Sequence, residues 1–97
     1  MSRPRNSESV FRAIADPTRR RILDLLRHGE QTVGDLIATL HVQRPIASHH
    51  LGALLQAGLV RQRRRGRHLM CSIDPRPLAP AHAWLSGHLA RTTSRAP

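Results

Sequence analysis

Apolar residues recur along most of this chain at the three-and-four spacing of a helix, give way to alternation past residue 58, and return to the helical spacing near the end. In "SESVFRAIA" (residues 7–15), Val10, Phe11 and Ile14 fall on one side of a short helix. "ADPTRRRILDLLRHGE" predicts a second helix. Asp16 is a good N-cap, and Pro17 takes the first helical position, where its missing N–H costs nothing. Ile22, Leu25 and Leu26 form its apolar stripe, and Gly29 stops it. In "TVGDLIATLHV", Thr32 and Asp35 have capping-box spacing, with Asp a shorter partner than the usual Glu. Val33, Leu36, Ile37 and Leu40 then keep the helical period. A link of about three residues leads to "RPIASHHLGALLQAG", with Pro45 near the first turn, Ala47, Leu51, Leu54 and Leu55 on the buried stripe, and Gly58 at the end.

"LVRQRRRGRHLMCSI" reads as a β-hairpin turning at Arg65-Gly66. Leu59 opens its first strand, and Leu69, Cys71 and Ile73 alternate inward along the second. "DPRPLAP" is too proline-rich for a helix interior. A last helix runs from Leu78 or Pro80 to Arg91 with Trp84, Leu85 and Leu89. Residues 1–6 read as a disordered basic arm and 92–97 as a flexible tail, leaving one domain over 7–91.

Two helices joined by a short link and followed by a basic hairpin define a winged helix-turn-helix. The fold class is mainly α with a β-hairpin wing (α+β), with about five helices and one two-stranded hairpin. In that geometry the second helix of the pair, about 44–57, lies in the major groove, where base edges are readable. The wing, about 59–73, reaches the neighbouring backbone or minor groove. Counting about 100° per residue from the buried stripe puts His49, Gly52 and Gln56 near the centre of the outward face, with Ser48 at its edge. Gln43 and Arg44 occupy the leading tip. His50 falls back toward the core as a packed, hydrogen-bonded residue. His49 is a candidate base or phosphate contact, the alternative being a solvated surface histidine. As a metal pair the two are poorly placed, because adjacent helical residues point about 100° apart.

Charge strengthens this picture. The 97 residues carry sixteen arginines, no lysine and six acidic groups, a formal net charge of +10. A small domain this basic usually meets a polyanion, most often nucleic acid. Arginine's planar fork suits phosphate and guanine, although a genome biased toward arginine codons would enrich it too. Arg61, Arg63, Arg64, Arg65 and Arg67 crowd the hairpin. A merely solvated hairpin is the alternative for them, weakened by the recognition-type helix beside it. The chain length fits one small domain. There is no apolar run of about 18 residues and no signal-like start, and the single Cys71 fits a reducing compartment, so the expected location is the cytoplasm, associated with the nucleoid.

"FRAIADPTRRRILDLL", "TVGDLIATL", "RPIASHHLGALLQAGLVRQRRRGR" and "DPRPLAPAHAWL" together resemble the ArsR/SmtB family of winged-helix repressors, over roughly residues 8–90. The resemblance implies a homodimer on palindromic operator DNA, joined through the first and last helices. On that reading Phe11, Ile14, Trp84, Leu85 and Leu89 are dimer residues, against the alternative that they complete the monomer's core. The DNA contacts are then Gln43, Arg44, Ser48, His49, Gly52, Arg63, Arg64, Arg65 and Arg67. Metal sensors of the family often carry a cysteine pair in the third helix, which this chain lacks, or Asp, His, His and Glu ligands along the last helix. Here that region offers Asp74, His82 and His88, but Arg76 and Pro77 stand where a histidine would be wanted. His82 and His88 are separated by about 240° around a helix and cannot close one site within a chain. Copies brought together in a dimer, joined by Cys71 or His68, are the remaining metal route. The chain therefore looks like members without an obvious metal site, and no cofactor is expected.

The function expected is a double-stranded-DNA-binding repressor, with its own gene among the candidate targets, no membrane partner and an inducer that the sequence does not identify. A metal- or small-molecule-responsive derepressor of the same fold is the alternative, and a protein-binding winged-helix module is more remote. An enzyme is disfavoured: no Ser/Cys–His–Asp arrangement or phosphate-cradling glycine loop is visible, and so small a domain has little room for a pocket.

Overall fold

The computed structural model describes residues 7–94, with the backbone alone for 7–9 and 91–94. The basic arm expected at 1–6 lies outside the described residues, as do residues 95–97. The chain forms α1 (Ser7–Ile14), α2 (Pro17–Leu26), β1 (Gln31–Thr32), α3 (Val33–Leu40), α4 (Arg44–Gln56), β2 (Val60–Arg65), β3 (His68–Ile73) and α5 (Ala79–Ser94), with one 3-10 turn at Arg76–Leu78. Residues 92–94, expected in a flexible tail, continue α5.

Local chemistry sets the helix ends. The Asp16 carboxylate accepts from the backbone N–H of Thr18 (2.7 Å) and Arg19 (3.2 Å), which caps α2 just before its proline. Thr32 Oγ1 accepts from the Asp35 N–H at 3.0 Å and starts α3. The α3–α4 link is His41, Val42 and Gln43, and His41 adopts the left-handed conformation (φ 57°) that usually goes to glycine or asparagine. At the far end of α4, Gly58 (φ 78°) closes a Schellman motif. Its N–H reaches the Leu55 carbonyl and the Leu59 N–H reaches that of Leu54, both at 3.0 Å.

The core lies between α2, α3, α4 and the sheet. Ile22, Leu26, Leu36, Leu54, Leu59 and Cys71 are its largest fully buried side chains. Leu23 is buried where the sequence stripe named Leu25, which is only half-buried. The sheet has three strands in the order β1-β3-β2, not two: β1 pairs antiparallel with β3 through Gln31↔Cys71 and Thr32↔Met70. Two residues are too few to show an alternating pattern, so β1 was not legible. β3 is consequently the central strand. Cys71 and Ile73 face the helical core as expected, but Met70 on the other face is buried too, and Leu69 is only half-buried.

Candidate nucleic-acid interface

α4 separates a buried stripe from a reading face. Ala47, Leu51 and Leu54 are buried, while Ser48, His49 and Gln56 are exposed and, with half-buried Gly52 and Ala53, line a shallow open hollow. Gln43 and Arg44 are exposed at the leading tip, and Gln43 supplies no side-chain cap. The first-turn amides there remain available to an anion, as helix N-termini generally are. His50 points the other way. Its Nδ1 accepts from Arg19 Nε at 3.0 Å, lies 3.8 Å from Asp16 Oδ1, and its side chain is only 15% exposed. The two imidazoles meet edge-on at 5.3 Å. His50 thus ties the back of α4 to the start of α2, and His49 faces outward.

The Asp16 carboxyl in that junction is subject to opposing effects. Partial burial raises its pKa, but the N–H donors of Arg19 and Thr18 and the nearby His50 more than offset this and hold it below its usual range.

The hairpin runs in register from Val60↔Ile73 to Arg65↔His68, leaving Gly66 and Arg67 as the two-residue turn. Gly66 has φ 60° and Arg67 does not share the positive φ, the pattern of a type II′ turn. Not all the arginines are available here. Arg63 forms a two-pronged ion pair with Glu30, Nε to Oε2 and Nη2 to Oε1 at 2.8 Å each. That hydrogen bonding pulls the Glu30 pKa below its usual value and raises that of Arg63. Asp74 binds Arg76 at 2.8 Å and Arg61 at 3.2 Å, and the Arg76 contacts press its pKa far below the usual carboxylate range. The side chains of Arg64, Arg65 and Arg67 make no hydrogen bond or ion pair among the described residues; the same is true of the Arg44 side chain and, away from the hairpin, of that of Arg27.

The "RRR" of α2 has a structural role that sequence reading missed. Arg19 holds His50, Arg20 caps the carbonyls of Ile14 (2.8 Å) and Ala15 (3.0 Å), and Arg21 reaches the Thr39 carbonyl at 3.4 Å. Three consecutive helical residues point about 100° apart, so each meets a different neighbour. Glu30 was missed as well, because its partner lies on another element and no sequence spacing links the two. Ile46 also escaped the count; it is 46% exposed in the first turn of α4.

The terminal helices meet through Phe11 and Trp84, whose rings pack edge-on at 5.8 Å. Ile14 is half-buried against the core, whereas Trp84, Leu85 and Leu89 are 54%, 48% and 68% exposed. Of the weak metal candidates, Cys71 is fully buried; burial pushes its thiol pKa up, against a hydrogen bond from Gln62 at 3.5 Å. It cannot present a thiolate to a surface ion without unpacking the sheet. His82 sits 3.4 Å from Ser86 Oγ, and His88 Nδ1 lies 2.9 Å from the Trp84 carbonyl. Among the described residues no three His, Cys, Asp or Glu side chains gather as a metal site, and no helix is long and apolar enough to cross a membrane.

An α3–α4 pair with an exposed second-helix face, followed by a basic hairpin, defines a winged helix-turn-helix DNA-binding protein. The comparisons with known proteins narrow this class. A profile described as "Bacterial regulatory protein, arsR family" matches residues 16–62. The chain is 40% identical over 77 residues to the transcriptional repressor SdpR of Bacillus subtilis, covering 79% of this chain and 86% of that one. It superimposes on the crystal structure of an ArsR family transcriptional regulator with TM-score 0.77 at 33% identity, covering 91% and 97% of the two chains. A further match is the solution structure of a homodimeric winged helix-turn-helix DNA-binding domain from Mycobacterium bovis (TM-score 0.68, 29% identity, 92% and 82% covered). This chain belongs to the ArsR family of bacterial transcriptional regulators, a family of DNA-binding proteins rather than enzymes.

Proposed function

We propose that the chain is a homodimeric repressor that occupies a palindromic operator in the cytoplasm and blocks promoter access, its own promoter included. α4 enters the major groove. Gln43, Arg44, Ser48 and His49 supply discrimination, and Gly52 lets the helix approach closely. Arg64, Arg65 and Arg67 hold the flanking phosphates. Arg63, named with them from sequence, instead fixes the wing to Glu30 and so aims its neighbours. The observation that carries this reading is the pattern of pairing. Arg19, Arg20, Arg21, Arg61, Arg63 and Arg76 are tied to carbonyls, carboxylates or His50, while the side chains of Arg44 at the tip of α4 and of Arg64, Arg65 and Arg67 at the end of the hairpin have no such partner among the described residues. Exposed Trp84, Leu85 and Leu89, continuous with the Phe11 contact, form the dimer surface, in keeping with the homodimeric structural relative.

Footprinting across the gene's upstream region, with sedimentation of the free protein, tests this proposal. The expected result is a two-fold symmetric protected site, with half-sites about 34–36 Å apart, bound by a dimer. Uniform coating of DNA without sequence preference, or a monomer at binding concentrations, would contradict it.

A further inference from the structure

Four large hydrophobic side chains are exposed among the described residues: Trp84, Leu85 and Leu89 on α5, and Ile46 on α4. The α5 group belongs to the dimer surface proposed above. Ile46 has no such account. It stands in the first turn of α4, immediately before buried Ala47, and is 46% exposed.

Helical spacing places it. At about 100° per residue, Ile46 lies about 60° from His49 and about 20° from Ala53 around the helix axis. It therefore flanks the hollow lined by Ser48, His49, Gly52, Ala53 and Gln56. The reading face is two-sided: Ser48 and Gly52 lie toward one edge, and Ile46 stands at the other, in the first turn, about two turns before Ala53. A lone isoleucine is too small to dock a protein, and it stands beside Gln43, Arg44 and His49 on a chain of net charge +10. In the major groove one base offers an apolar group to such a side chain. Thymine projects its C5-methyl there, where cytosine presents only an amino donor and a bare ring carbon.

We propose that Ile46 reads the C5-methyl of one thymine in each operator half-site. This rests on α4 being the reading helix, and it adds a hydrophobic readout to the polar contacts proposed above. Ile46 is outside the core, so shortening it opens no interior cavity, and the fold should melt as the wild type does.

The test separates the two levels of the argument. Duplexes are selected from a random-sequence library by the full chain, and the selected duplex is remade with deoxyuridine replacing one thymine at a time, which removes only a methyl. At one thymine per half-site the wild-type chain should lose about fourfold in affinity, and about sixteenfold when both half-sites are changed, the ratio for one buried methyl in each. Ile46→Ala should bind the thymine duplex more weakly and no longer distinguish it from the deoxyuridine duplex. Ile46→Val should keep part of the preference, which guards against a folding defect in the alanine variant. A wild-type chain indifferent to deoxyuridine everywhere, or an Ile46→Ala chain with the full thymine preference, overturns the assignment and leaves α4 as the reading helix. Failure to enrich any duplex overturns the role of α4, and that of Ile46 with it.

Discussion

Two neighbouring arginines of the wing should behave differently toward salt. The Arg64 side chain makes no hydrogen bond or ion pair among the described residues, while Arg63 is held by Glu30 through two contacts of 2.8 Å. If Arg64, Arg65 and Arg67 of both protomers each neutralise a phosphate, about six counterions leave on binding. The slope of log affinity against log salt is then about −5, and affinity falls by about 10³ between 50 and 200 mM salt. Arg64→Ala removes two contacts per dimer and should flatten the slope by about 1.8, so its deficit relative to wild type shrinks about twelvefold over that range. Removing the Arg63–Glu30 pair as a unit, with Arg63→Ala and Glu30→Gln together, takes away a neutral pair that touches no phosphate. That slope should match the wild type, whatever happens to the absolute affinity. Fluorescence anisotropy with one labelled duplex at four or five salt concentrations gives all three slopes. The reasoning fails if the double variant flattens the slope as much as Arg64→Ala does, because Arg63 would then leave Glu30 for DNA.

Three further expectations concern α4, the pH response and the caps. A Cβ built at Gly52 meets nothing within 4 Å, so Gly52→Ala should stabilise the free protein by up to about 1 kcal/mol in urea unfolding while weakening operator binding. Improved binding would show that nothing approaches the helix closely there. The Glu30 pKa is depressed from a usual value near 4.5, so the latch stabilises the fold above that value and is lost as pH falls through the lower, folded value. Wild type should therefore melt above Glu30→Gln at pH 7, and the gap should close in acid; a gap that widens there would invert the assignment. Asp16→Ala removes the carboxylate oxygen that accepts from two N–H groups at the start of α2 and should cost about 0.5–2 kcal/mol by denaturant titration. No loss would mean that Pro17 alone fixes that end.

What the sequence disclosed followed from local rules. The Asp16-Pro17 cap, the Thr32 cap, the three-residue link and the glycine stop at Gly58 are all encoded by neighbours in the chain. The separation of His49 from His50 followed from helical period alone. What was hidden depends on contacts between distant segments. β1 exists because Gln31 and Thr32 meet Cys71 and Met70, residues some forty positions away in the chain. The sequence presents the hairpin arginines as one undivided run; only tertiary structure divides them into Arg61 and Arg63, which are paired, and Arg64, Arg65 and Arg67, which are not. The left-handed His41 carried no glycine signal to mark the end of α3.

The central claim is that α4 discriminates between sequences while the wing holds any DNA. The most direct test measures Arg44→Ala, His49→Ala and Arg64→Ala on a selected duplex and on a scrambled duplex of the same composition. Arg64→Ala should weaken both alike and preserve their ratio, whereas Arg44→Ala and His49→Ala should lower the ratio by weakening the selected duplex more. Equal losses on both duplexes for all three variants would contradict the account.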